Sequence, residues 1–134
     1  QFNNININQR FVSVEELREL HSKHGVMLVP TRWDSQGLTC GEAMSSGLVP
    51  LTTNTAAIPD FADDSCAILA AFDDVSELIK GYDYIFNNPN EYLKMSEAAA
   101  KRSQSQCGLS QTLNREVLLI ESILGKKTLS LKLR

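Results

Sequence analysis

An unbroken apolar run, Val26–Met27–Leu28–Val29, lies between Gly25 and Pro30 and is followed, past a loop at Thr31–Gly37, by a helix-forming stretch and a second apolar run. A run of this kind is the mark of a strand covered on both faces. Such strands belong to parallel sheets, because parallel neighbours need long crossovers that lay helices over the sheet. The helix, Leu38–Ser46, carries Glu42–Ala43–Met44 and stops at Gly47, a natural left-handed cap. Leu48–Val49–Pro50–Leu51–Thr52–Thr53 reads as the next strand, with Pro50 assigning it to an edge or a strand start. Upstream, Asn4–Val12 alternates Ile5, Ile7, Phe11 and Val12 with Asn and Gln, a strand pattern. Ser13, with Glu16 three residues on, forms a capping box for a helix over Val14–His21. A fourth short strand fits Cys66–Leu69. Helices are expected over Asp74–Phe86, Pro89 to about Gln104, and about Leu109–Leu124, separated by Asn87–Asn90 and Cys107–Gly108. Strands alternating with helices give right-handed βαβ units and an α/β layered architecture with a helical C-terminal half.

The size and charge of the chain narrow its function. With 134 residues it makes one domain, and with 43% hydrophobic and 22% charged residues it can build a packed core. A net charge of −3 argues against a nucleic-acid partner, which would call for a basic stripe. Cys40, Cys66 and Cys107 are odd in number and contain no CxxC pair, so neither a disulfide framework nor a zinc site is suggested, and a reducing cytoplasm is the default. The longest apolar stretches fall far short of the ~20 residues of a membrane span, and no charged-then-apolar leader opens the chain. Gln1 in place of Met, with a strand-like pattern almost at once, suggests a piece of something longer.

In parallel sheets ligands sit beyond the carboxyl ends of the strands, where loops enter helix N-termini. Here that edge holds Thr31–Gly37 and Thr53–Pro59. The amides around Gln36, Gly37, Leu38 and Thr39 would lack intrahelical acceptors, and the helix dipole favours an anion there, so a phosphate can dock without a lysine. Gly37 would let a ligand approach the backbone closely. Asp34 and Glu42, with seven residues between them, could accept hydrogen bonds from sugar hydroxyls on either side. The plainer alternative stays open. Asp34 or Ser35 could simply cap the helix, and Thr39 with Glu42 fits a capping box.

The order Pro30, Thr31, Asp34, Gly37–Leu38, Glu42–Ala43–Met44 and Gly47 before a Val–Pro strand resembles the signature of retaining glycosyltransferases of the GT-B architecture, family 4 (group 1). Thr53–Asp60 is similar to that family's stretch of Thr, two glycines, Ile, Pro and an acid. The resemblance runs from Asn4 to about Leu124. It implies a Rossmann-like parallel sheet flanked by helices, forming the later part of a C-terminal, donor-binding lobe over residues 1–124, with a basic tail over 125–134. By the same resemblance Asp34 stands where a glutamate contacts donor-sugar hydroxyls, and Glu42 where a glutamate holds the nucleotide ribose. Ser35, Gln36, Gly37 and Leu38 would lend amides to the sugar and diphosphate. Two departures stand out: Asp34 is one methylene shorter than the family's glutamate, and Ala56–Ala57 replace glycines.

The activity implied is transfer of a sugar from a UDP- or GDP-linked donor to an acceptor hydroxyl with retention, in polysaccharide or surface glycan synthesis. No cofactor or metal is implied. Stabilising the departing diphosphate is the step assigned to this chain. The N-terminal acceptor lobe and two donor-lobe strands are missing from the pattern, so the piece alone should not turn over, and its unpaired strand edges invite self-association. Two alternatives remain: a nucleotide-sugar epimerase of the same fold, or a non-catalytic nucleotide-binding or scaffold domain.

Other residues carry less. Arg32 could reach the diphosphate or sit on the surface. His21 and His24 read as surface or packing residues, and Trp33 as a wall of the donor pocket or as packing. Cys40, near a helix start, could have a lowered pKa. The acid-rich Asp60–Asp64 and Asp73–Asp74 segments look like caps and solvated loops. The tail Gly125–Arg134 is weakly amphipathic and basic, in plain terms a frayed terminus and in bolder ones a membrane contact. The expected location is the cytoplasm, within reach of a membrane's inner face.

Overall fold

A computed structural model describes residues 4–35 and 37–125. The element order is α1 (Val14–Ser22), β1 (Val26–Val29), α2 (Leu38–Ser45), β2 (Val49–Thr53), α3 (Ile58–Phe61), β3 (Ile68–Ala70), α4 (Val75–Asn87), α5 (Pro89–Cys107) and α6 (Leu109–Leu124). The three strands form a parallel sheet in the order β1-β2-β3, with Val26 opposite Val49 and Leu51 opposite Ile68. This is the expected α/β class, with helices flanking the sheet and filling the C-terminal half.

Local signals set most boundaries. Ser13 and Glu16 close the capping box of α1. Asp74 caps α4 by accepting the Glu77 amide at 3.0 Å, Pro89 opens α5, and Gly47 takes φ +78° after α2. β2 is buried throughout and divides the core. Val49 and Leu51 pack with Ala70, Leu78, Ile85 and Met95, while Met44, Ala62, Cys66, Ala67 and Ala99 form the second cluster. Serines of α5 tie it to α2: Ser96 Oγ donates to Gly47 O at 2.6 Å and Ser103 Oγ to Gly41 O at 3.3 Å.

Four expectations are corrected. Residues 4–12 form no strand; Ile5, Ile7 and Phe11 are exposed, and the segment pairs with none of the three strands of the sheet. β1 is not covered on both faces, since it lies at the sheet edge and Leu28 is 61% exposed. Pro50 sits neither at an edge nor at a strand start but second in the central strand. In a parallel strand successive residues turn their backbone groups to opposite sides. The Val49 amide donates to Gly25 O at 2.9 Å, on the β1 side, so residue 50 faces β3, whose pairing begins only at Leu51. The missing proline N–H therefore costs no ladder bond. β3 lies two residues beyond the expected Cys66 start.

Candidate functional site

The carboxyl ends of β1 and β2 open into two loops that are stitched together. Thr52 Oγ1 donates to Val29 O at 2.8 Å, and Thr53 Oγ1 donates to Thr31 O, so two buried hydroxyls of β2 hold the start of the β1–α2 loop. The Ala57 amide donates to Asp34 O at 3.2 Å, which joins the second loop to the first. Asp34 is half-buried, and its Oδ1 accepts the Gly37 amide at 2.6 Å. The turn is thus braced by the acid that the sequence singles out.

α2 is capped by Gly37, which is buried and left-handed at φ +60°. No side chain caps this helix, so the Thr39–Glu42 capping box does not form. Asp34 holds the amide of the cap residue itself, not one inside the first turn. Gly41 N bonds back to Gly37 O at 2.9 Å, leaving Leu38, Thr39 and Cys40 as the first-turn amides with no acceptor within the helix. Gly37 is not open to a ligand over its Cα, as a Cβ there would lie 1.7 Å from Cζ of Phe61, whose ring takes up that space. Phe61 is held in turn by α5: Arg102 Nε donates to Phe61 O at 2.8 Å, and its guanidinium pairs with Asp63. Asp63 is held below the usual carboxylate range, first by hydrogen bonds from Ser65 and then by Arg102.

A cleft of about 700 Å³ opens beside this turn. Gly37, Leu38 and Glu42 line it from α2, Phe61 from α3, and Lys101 and Gln104 from α5. Of the candidate residues, then, Gly37, Leu38 and Glu42 come together at the cleft, whereas Arg32, Asp34 and Ser35 do not line it. Gln36 lies outside the described residues. Arg32 is exposed and pairs with Asp73 at 3.3 Å. Trp33 is 80% exposed. Burial pushes the Cys40 thiol up, the opposite of the expected direction. His21 is a packing residue, with Nδ1 2.9 Å from Ser46 Oγ and a buried Nε2 that has no partner. His24 Nδ1 lies 2.7 Å from Leu20 O.

Sequence reading missed Phe61 and Arg102. The four-residue α3 that carries Phe61 has no side-chain cap, and its local marks are Pro59 and Asp60 in its first turn. Nothing local in the sequence announces that Arg102, 41 residues downstream, holds its carbonyl.

The pattern of the family described as glycosyl transferases group 1 matches residues 4–102, and the chain belongs to that family. The uncharacterized 41.2 kDa protein in cps region of Klebsiella pneumoniae is 30% identical over 71 residues, which are 52% of this chain and 20% of that protein. Among solved structures, sucrose-phosphate synthase from Thermosynechococcus elongatus superposes with a TM-score of 0.70 at 17% identity, covering 79% of this chain and 27% of that one. The structural likeness shows the fold, that of a GT-B Rossmann-like domain. The chain spans about a fifth of the curated relative and about a quarter of the solved one.

Proposed function

We propose that residues 1–124 are the later part of the C-terminal, donor-binding lobe of a retaining family 4 glycosyltransferase, with 125–134 as its basic tail. The supporting observation is the uncapped start of α2 beyond the carboxyl end of β1, where the Leu38, Thr39 and Cys40 amides lack helical acceptors beside a cleft lined by Glu42. A diphosphate fits such a start because polarised N–H groups and the helix dipole meet its charge without reorganising during reaction. As the anomeric bond to the diphosphate breaks and the acceptor hydroxyl bonds to the same face of the sugar, these amides would stabilise the leaving group. Glu42 would accept hydrogen bonds from the ribose hydroxyls of a UDP- or GDP-linked donor. Asp34 would stand on the sugar side, its carboxylate also ordering the turn. Gly37 and Leu38 would wall the diphosphate with Ser35 and Gln36 beside them, and Arg32 would reach it only by leaving its exposed pair with Asp73. The acceptor would be met by parts of the protein beyond this chain, which alone should show no transfer. The relative from a cps region supports a place in polysaccharide assembly.

The test uses the intact parent protein. Glu42→Ala should weaken nucleotide-sugar affinity about 10- to 100-fold, the value of charge-assisted hydrogen bonds. Unchanged affinity would remove Glu42 from this role. NMR of the product would report retention at the anomeric carbon.

One observation favours a second reading, the non-catalytic domain. The Phe61 ring fills the space over Gly37 that a ligand approaching the backbone would need. Sugar transfer measured with the parent separates the two.

A further inference from the structure

We infer that Arg102 is a positioning residue for the donor site: by fixing the Phe61 segment against Gly37, it sets the turn from which the Leu38, Thr39 and Cys40 amides project. The inference rests on the donor-site reading of that turn and adds to it the group that keeps those amides in place.

α3 cannot hold Phe61 by itself. It has four residues, no side-chain cap and a closing bond from Ala62 N to Ile58 O at 3.0 Å, and one helical turn has no stability of its own in water. Its place is set from outside. Phe61 O, at the end of the helix, has no intrahelical donor and takes one from Arg102 Nε at 2.8 Å. The same guanidinium meets Asp63 Oδ2, while Ser65 N donates to Asp63 Oδ1 at 2.9 Å, so the carboxylate is fixed at both oxygens. The Arg102 side chain is only 28% exposed. Lysine could not replace it, because a single ammonium carries no rigid fork to reach the carbonyl and the carboxylate together.

From Phe61 the constraint passes to the turn. The ring fills the place a Cβ would take at Gly37, so it meets the backbone there with no side chain between. The next residue of α5, the buried Ser103, donates to Gly41 O at 3.3 Å, and Gly41 N bonds to Gly37 O at 2.9 Å. Two successive residues of the 19-residue α5 thus hold one turn, Ser103 through the α2 backbone and Arg102 through the Phe61 ring. Amides aimed at a diphosphate lose much of their effect when displaced by about an ångström, so a grip of this kind is felt in binding.

The experiment titrates the intact parent protein and its variants with UDP and with GDP in a calorimeter. Arg102→Lys keeps the ion pair with Asp63 and gives up the bond to Phe61 O; it should weaken the nucleoside diphosphate about tenfold with the circular dichroism spectrum unchanged. Phe61→Ala should weaken it to a similar degree, and the double variant no further, because the one residue acts through the other. Ser96→Ala, which removes an α5–α2 bond at the far end of α2, should leave the affinity as it is. Losses that add in the double variant, or an equal loss in Ser96→Ala, would overturn the inference by making Arg102 a general brace. If Glu42→Ala weakens the nucleotide and Arg102→Lys does not, the positioning role alone falls. A parent that binds neither nucleotide overturns the donor-site reading and this role with it.

Discussion

The two strand-to-helix connections meet the same backbone demand with different residues. The β1–α2 loop enters its helix through Gly37 at φ +60°, and the β2–α3 loop turns through Ala56 at φ +50°. A left-handed conformation is nearly free for glycine but costs an alanine roughly 1–2 kcal/mol. The first loop therefore avoids backbone strain and uses the missing Cβ to admit the Phe61 ring. The second carries the strain, and its neighbours hold it there: Asn54 N donates to Ala70 O at 2.7 Å and Ala57 N to Asp34 O. One glycine is spent on packing, and one alanine is tolerated where a glycine would fit.

The comparison can be broken most forcefully at Gly37. Gly37→Ala combines a left-handed alanine with a clash against Phe61, and should cost about 2–5 kcal/mol in urea unfolding. In a Phe61→Ala background the same substitution should cost only the roughly 1–2 kcal/mol of the backbone, a non-additivity that a double-mutant cycle reads directly. Equal costs in both backgrounds would mean that the ring does not sit over the turn. Thr52→Val should come next, at about 0.5–1.5 kcal/mol, because Val29 O would lose the Thr52 hydroxyl while keeping the Thr31 amide, and the first loop would lose one tether. Ala56→Gly works in the opposite direction. Relief of the strain, less glycine's extra unfolded entropy, should stabilise the chain by about 0.5–1 kcal/mol, raising the urea midpoint. A loss of stability would show that the second loop is unstrained.

The smallest effect lies away from both loops and serves as their control. The Glu16 carboxyl is lowered from 4.5 to about 2, chiefly by the Arg10 guanidinium and then by the Ser13 amide, at a half-exposed surface position. A carboxylate that is more acidic when folded stabilises the fold above pH 4.5 and loses that contribution as pH falls from about 4.5 towards about 2. Melting curves of Glu16→Gln should therefore fall less steeply than those of the parent chain across that window, with no change in the relative rank of the loop variants.

What could be read in the chain was whatever is enforced within a few residues. Ser13 with Glu16, Asp74, Pro89 and Gly47 act through their nearest neighbours, and the helices they bound lie close to where the pattern places them. Val26–Val29 and Val49–Thr53 are strands because a short apolar run has few other uses in such a context. The exceptions depend on distant partners. Alternation over 4–12 makes a strand only if the segment docks on a ladder, which it does not, and Pro50 is harmless only because β3 starts one position later. At the candidate site the sequence marks Asp34 and Glu42 but not how they are placed: Asp34 binds the turn and Glu42 lines the cleft. Phe61 and Arg102, which pack behind that turn, are reached only through contacts that span 24 and 41 residues.

The bond from Ala57 to Asp34 carries a dynamic consequence. It makes the rims of the two connections a single mechanical unit, with the Thr53 hydroxyl as a second rivet. Amide exchange at Gly37 and at Ala57 should accordingly follow a common opening, so that a molecule seated on either rim would slow both.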